Sequence, residues 1–342
     1  MSLINHLDTH RKVLREQIIR NILTTWHIPM DLFEPLCRYA RSNINDLEIL
    51  MSLFPDESWE WSELGRNPNV TWDIIRHNLG KDWYWWFISE HPNITWDIIL
   101  NNPEIPWDWK AIAMNPNVTL DIVQRNPDKP WKWDWMIRNP NITWEIIQSN
   151  SNIIWDWEVL CMNPNITWEI IQNNPDKPWN WGSISQNKIV TVDIIQIHPD
   201  KPWNWSGLSQ NPNITSEFIE KNIDKSWDWN YLSRHPGVTW EFMEKHPEKP
   251  WHWTYISMNP NITWEIIQSN PDKPWNWEDI SSHPNITWDI IQSNPDKLWT
   301  WTGISRNPNL TWEIVYDNKD TIPWYWEGLS DNTFGKGKIY RR

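Results

Sequence analysis

The sequence predicts an all-α protein, an α-solenoid (superhelix) of 24-residue repeats, each holding two short helices. Three observations predict it. Threonine occupies 71, 95, 119, 143, 167, 191, 215, 239, 263, 287 and 311, eleven positions spaced by 24 without an insertion, and a fixed period of that size is a solenoid signature. The residue two after each of these threonines is Asp or Glu, and the next two are apolar in all eleven copies. A W-x-W triplet opens at 59, 83, 107, 131, 155, 179, 203, 227, 251, 275, 299 and 324; with eight T-W pairs these triplets hold 32 of the 35 tryptophans. Tryptophan is therefore a structural residue first.

Taken in order, residues 1–58 precede the regular copies. The spacing of Leu14, Ile18 and Ile22 with Ile19 and Leu23 puts an apolar stripe on a helix over 7–25, and Pro29 and Pro35 punctuate a shorter helical stretch through Arg41. Residues 44–59 read as a decayed repeat, with Phe54-Pro55-Asp56 where later copies carry N-P-D. The expectation for 1–58 is a helical N-terminal cap, because a solenoid must cover its end unit; a partner-binding or oligomerisation helix is the alternative. Residues 59–330 form about eleven to twelve repeats of one elongated domain, and 331–342 a basic, glycine-spaced tail.

The stretch 259–282 represents the unit. Its N-P-N-I-T turn places Thr263 as N-cap of a first helix. Trp264 follows, and Glu265 brings a negative charge to the positive end of that helix. Ile266 and Ile267 supply the buried side, and Asn270-Pro271 stops the helix after about two turns. A second helix is expected with Pro274 near its first position, with Trp275 and Trp277 pointing to nearly opposite sides and Ile280 buried. Helices of this length do not survive alone, so the units must stack. Asn187-Lys188-Ile189, Val192, Ser216 and Gly237 depart from the pattern and make 187–237 its least regular part.

The N-P-N turn, the short acidic-headed helix, then N-P-D and a second helical segment over 67–330 resemble the leucine-rich variant repeat. That resemblance implies a superhelix of paired short helices, although tryptophan dominates here where the family uses Leu, Val and Ala. The cysteine cluster that holds an iron-sulfur centre in one such protein has no counterpart. At 259–277 the chain also resembles, nearly letter for letter, the tryptophan-rich N-P-N-I-T-W-E-I-I repeat proteins of giant amoeba-infecting, mimivirus-like viruses. This implies a viral source and no particular activity.

A formal charge of -14 disfavours non-specific binding to nucleic acid or anionic membrane. No apolar run approaches the roughly 20 residues of a membrane span, and residues 1–20 are charged where a signal peptide would be hydrophobic. The expectation is a soluble protein of the host cytoplasm or the virion, not secreted, with Cys37 and Cys161 as packing residues in a reducing compartment.

No catalytic triad, Cys-His pair, phosphate loop or dinucleotide turn stands out among nine glycines. His91, His235 and His283 occupy the turn position that Asn67 and Asn115 hold elsewhere, whole repeats apart. No enzyme, metal or cofactor is expected, and the adjacent Glu278 and Asp279 read as a solvated face.

Two residues after each W-x-W the repeats vary, and Phe87, Trp135, Tyr231 and Tyr255 share that register, with Trp86 beside the first. Aromatics on one face suggest a hot-spot stripe for a protein partner; the competing reading is that they fill space left by small neighbours in adjacent layers. The sequence thus points to a non-enzymatic scaffold for a viral or host protein. One alternative is a structural component of a virus particle or factory that self-associates through its ends. A second is a glycan-binding module, which requires exposed tryptophans.

Overall fold

The computed structural model describes Gln17, residues 46–150 and residues 153–335. The helix expected over 7–25, the stretch through Arg41, Cys37 and the tail from 336 onward lie outside the described residues. Among the described residues the chain forms 24 short helices and no strand, the all-helical repeat that the period predicts. It divides into two compact units, one of residues 1–84 with 286–342 and the other of residues 85–285.

The first helix of each repeat forms as the threonine pattern implies. In the copy that spans Trp264–Ser269, Thr263 has extended backbone and its hydroxyl accepts the N–H of Ile266 at 3.4 Å. The other capping threonines do the same, except Thr143. Glu265 stands exposed in the first turn, and a backbone hydrogen bond to its own residue, with the Thr263 hydroxyl, holds its carboxyl below the usual range. Ile267 and the turn residue Ile262 are buried, while Ile266 is half-buried. The helix stops at Asn270, whose Nδ2 donates to Ile266 O at 2.9 Å and whose carbonyl accepts Trp275 Nε1 at 2.8 Å.

The second helix starts later than expected. It spans Trp277–Ser281, so Pro274 lies in the extended segment before it and not at its first position. The N-cap is Asn276, the middle residue of the W-x-W triplet, whose Oδ1 accepts the N–H groups of Glu278 and Asp279 at 3.0 and 3.3 Å. Glu60, Asp108, Asp156, Asn180, Asn204, Asp228 and Thr300 cap their helices from the same place. This corrects the placement of the two tryptophans on opposite sides of one helix. Trp275 precedes the cap and is buried, whereas Trp277 opens the helix half-buried.

Successive repeats are joined by rings. Trp144, after its threonine, lies 6.4 Å from Trp157 of its own repeat and 5.7 Å from Trp179 of the next, and those two meet edge-on at 5.1 Å. The triads Trp96/Trp109/Trp131, Trp168/Trp181/Trp203 and Trp240/Trp253/Trp275 repeat this arrangement. Such aromatic pairs add about 0.5–1.5 kcal/mol each beyond the area they bury.

A second set of bonds runs through buried asparagines. Asn139, fully buried, donates Nδ2 to Ala113 O, Asn115 O and Val118 O of the preceding repeat at 2.9, 3.0 and 3.0 Å. Its Oδ1 accepts the N–H of Asn141 at 2.8 Å. Ala113 lies in the last turn of the preceding second helix, Trp109–Met114, and Asn115 caps it, so the amide supplies a donor to a helix-end carbonyl; Asn115 O also accepts the N–H of Val118 at 3.0 Å and Val118 O the Nδ2 of Asn141 at 3.1 Å. Asn115, Asn211 and Asn259 repeat the pattern. A serine at the end of most second helices, replaced by Gly65, Ala113, Ile137 and Cys161 in the others, adds a further rung: Ser185 Oγ accepts the N–H of Asn204, and Ser209 Oγ that of Asp228, both at 2.9 Å.

Within the unit that holds both chain ends, the first repeat takes the last as its predecessor. Asp46–Leu53 packs on Trp312–Asp317, and Trp61–Leu64 on Trp326–Asp331. Asn67 donates to Ser330 O at 2.7 Å and Asn332 O at 2.9 Å, and Glu60 N–H donates to Ser330 Oγ at 3.0 Å. Trp59 meets Trp326 edge-on at 5.1 Å. Two asparagine bonds, the serine bond and an edge-on tryptophan contact of an internal junction recur there.

The irregular stretch is compensated locally. A Cβ on Gly237 would stand 1.9 Å from Ile214 O, so only glycine lets the two turns approach. Ser216 then donates its N–H and its hydroxyl to Gly237 O at 2.9 and 2.7 Å.

Leu298, 69% exposed, occupies the turn position of Pro274. Both turns close alike, with Lys297 N–H on Asn294 O at 3.2 Å and Lys273 N–H on Asn270 O at 3.3 Å. Leu298→Pro should therefore raise unfolding free energy by about 0.4–1 kcal/mol through the unfolded state, measured by chemical denaturation. A loss of stability would show that the two turns are not equivalent.

Candidate functional site

All five aromatics singled out in the sequence lie in the 85–285 unit on second helices, and all are half-buried. They form two clusters, not one stripe, because Val159, Ser183 and Gly207 hold the register between them. Gly207 leaves no room for a larger side chain: its Cβ would stand 2.9 Å from Gly182 O and 3.1 Å from Ser185 Cβ.

In the first cluster Trp86 and Trp135 meet edge-on at 5.0 Å, although a whole repeat separates theirs. The intervening register residue is the fully buried Ala111, and its small size lets the indoles close over it. Trp135 also carries Lys110 Nζ at 5.5 Å and the Arg138 guanidinium at 4.9 Å over its ring. Phe87 is half-buried on the same helix, Trp85–Glu90. In the second cluster one guanidinium, Arg234, stands 5.1 Å from the Tyr231 ring and 5.3 Å from Tyr255, and the His252 ring lies tilted against Tyr255 with centroids 4.5 Å apart.

The cations were not singled out in the sequence. Arg138 and Arg234 follow Trp135 and Tyr231 by three residues, one helical turn on the same side, and that spacing is the signal that could have found them. Met162 and Met258, exposed at 48% and 42%, occupy the same place in other repeats. The face therefore combines aromatic rings, guanidinium groups and flexible thioethers on closely packed short helices, with Trp85–Glu90 against Trp109–Met114, and Trp229–Ser233 against Trp253–Ser257.

No protein-family model, curated protein or solved structure matches the chain. The described residues contain no group of three His, Cys, Asp or Glu side chains placed to hold a metal ion. They contain no helix long and apolar enough to cross a membrane. Cys161 is fully buried in the place of the ladder serine, its Sγ accepting Asn180 N–H at 3.3 Å. Burial pushes its thiol up to about 11, so it is a poor nucleophile.

The turn histidines take over the asparagine's bonds. His235 Nδ1 accepts the N–H of Gly237 at 3.0 Å, which fixes the proton on Nε2 and lets it donate to Asn211 O at 2.8 Å. His283 does the same between Asn285 N–H and Asn259 O, both at 3.1 Å. Burial lowers the pKa of both rings, against a smaller opposing effect of the carbonyl each one donates to.

A histidine depressed in the folded chain contributes stability that is present above its unfolded pKa of about 6.5 and lost as pH falls through the folded value. His235→Asn with His283→Asn keeps the ladder but removes the titration. Between pH 7.5 and 5.5 the double variant should lose less stability than the natural chain, by up to about 1.4 kcal/mol per histidine for each pH unit below 6.5. Equal losses in denaturation curves at the two pH values would contradict the lowered pKa of these buried rings.

Proposed function

We propose that the protein is a non-enzymatic scaffold that holds a protein partner against the second-helix face of its 85–285 unit. The observation that carries this reading is the pairing of cation and ring at Lys110/Trp135/Arg138 and at Tyr231/Arg234/Tyr255. Tryptophan, tyrosine and arginine are the side chains that concentrate binding energy at protein interfaces, and exposed methionines let a surface adapt to what it meets. On the likeness of its repeats, the partner would be a viral or host protein in the infected cytoplasm or the virion.

Two observations favour this reading over its alternatives. The end repeats engage each other within one chain, which leaves fewer unpaired surfaces for self-assembly through ends. Trp301 is the one exposed tryptophan among the described residues, which leaves few indole faces open to stack on a sugar.

The test is capture with the purified full chain from lysates of infected amoebae, followed by reconstitution with the recovered protein. Trp135→Ala with Arg234→Ala should weaken the reconstituted complex by roughly thirtyfold or more, given about 2 kcal/mol for a hot-spot residue. Glu265→Gln on a first helix should leave it unchanged. Equal affinity for all three proteins, with their thermal midpoints matched, would remove this face from the interface.

A further inference from the structure

The cations on the first helices of the 85–285 unit have carboxylate partners: Arg125 meets Asp121 at 2.9 Å, Lys221 meets Glu217 at 2.6 Å and Lys245 meets Glu220 at 3.0 Å. Arg234 differs. It ends the helix Trp229–Ser233, and neither that helix nor Trp253–Ser257, which packs on it, carries an acidic residue. Its side chain is exposed and, among the described residues, makes no hydrogen bond or ion pair; the Tyr231 and Tyr255 rings hold it by its charge at 5.1 and 5.3 Å. The acids that flank the pair of helices are not its partners. Asp228 is engaged as the N-cap, its Oδ1 accepting the N–H groups of Asn230 and Tyr231 at 3.0 and 3.3 Å, and Asp279 belongs to the following repeat with its Oδ2 buried.

His252 adds a second donor to the same place. At the middle of the W-x-W triplet, Asp228 and Asn276 of the neighbouring repeats cap their helices, whereas His252 makes no cap bond and lies against Tyr255 instead, with ring centroids 4.5 Å apart. An acceptor has been exchanged for an imidazole at the junction where Arg234 stands. The hydroxyls of Tyr231 and Tyr255 are likewise without hydrogen bonds among the described residues. Four polar groups thus converge on one junction, and the protein satisfies none of them there.

We infer that Arg234, His252 and the two tyrosines form a docking site for a carboxylate side chain, an aspartate or glutamate of the partner protein. The inference rests on the scaffold reading and names the chemistry that its second cluster selects. A guanidinium presents its N–H donors as a fork that matches a carboxylate, and rings that already hold it reduce the freedom lost when the carboxylate arrives. Charge decides the class of partner. A nucleic acid offers phosphates in an unbroken row, which a chain of net charge -14 repels and a single guanidinium does not offset. A protein segment offers separate carboxylates among apolar side chains, and these suit the two tyrosines and the exposed Met258.

Fluorescence anisotropy with the full chain tests this, using a labelled peptide of alternating glutamate and alanine, its glutamine counterpart and an oligothymidylate of equal charge. At low salt the glutamate peptide should bind saturably, and the glutamine peptide at least about tenfold more weakly. Arg234→Gln should weaken the glutamate peptide about tenfold and Arg234→Lys about threefold, because lysine keeps the charge and loses the fork. Lys221→Gln, on a first helix, should change it less than about twofold. No saturable binding, equal affinity for the two peptides, equal effects of Arg234→Gln and Lys221→Gln, or tighter binding of the oligothymidylate would each overturn the assignment. Against the captured partner, a loss of affinity in Tyr255→Ala with none in Arg234→Gln would overturn the carboxylate site and leave the scaffold face standing. No loss in either, nor in Trp135→Ala, would remove both.

Discussion

The structure rests on one interaction, the buried asparagine amide that each repeat places against the end of its predecessor's second helix. Helices of four to six residues, such as Trp157–Leu160 and Trp168–Asn173, close few internal bonds, and a helix end leaves its final carbonyls without partners. In a buried position each such carbonyl would cost about 1–3 kcal/mol. Asn211 donates to Ser185 O, Asn187 O and Val190 O, each at 3.0 Å, sharing Asn187 O with the N–H of Val190 and Val190 O with the Nδ2 of Asn213. A repeat is therefore finished only by the one that follows it. The same requirement explains why the first repeat offers Asn67 to the last.

What the chain tolerates follows from the bonds it must keep. Histidine replaces asparagine at 235 and 283 because an Nε2–H imidazole presents one donor and one acceptor at nearly the same places. Cysteine replaces serine at 161 because the sulfur still accepts the next repeat's N–H. Gly237 removes an asparagine side chain altogether, and the backbone of the preceding repeat's turn at Ile214 comes into the space, held by Ser216. The tryptophan after threonine is less constrained: its loss at Ser216 leaves Trp229 and Trp251 in contact at 5.1 Å, with Phe242 beside Trp251, and its loss at Val192 leaves Trp205 and Trp227 in contact at 5.0 Å, with Phe218 beside both. Rings add to junctions that polar bonds already define, which is why their seats can be vacated.

Features decided within a few residues were legible in the sequence. Thr263 as N-cap, Glu265 in the first turn and Ile267 in the core all follow from local spacing. Placing the second helix from Pro274 failed because proline suits an extended segment as well as a first turn, and Asn276, a better start signal, lay between two tryptophans that drew attention to themselves. The asparagine ladder was not legible because its acceptors are backbone carbonyls, which no residue type announces. Nor was the docking of Trp59 on Trp326, since the period is the same whether the end repeats meet or stand apart. The aromatic register was readable, but its division into two clusters depends on how closely Gly207 approaches Gly182.

The ladder is tested most directly at Asn139, where the amide meets Ala113 O, Asn115 O and Val118 O and no histidine is involved. The measurement is the unfolding free energy of Asn139→Ala and Asn139→His beside the natural chain, by denaturant titration at pH 8. If the amide completes the preceding helix, alanine costs about 3 kcal/mol, and histidine, which restores a donor and an acceptor, costs less than about 1 kcal/mol. Equal costs for the two variants, or an alanine variant as stable as the natural chain, would contradict the central role given to this bond.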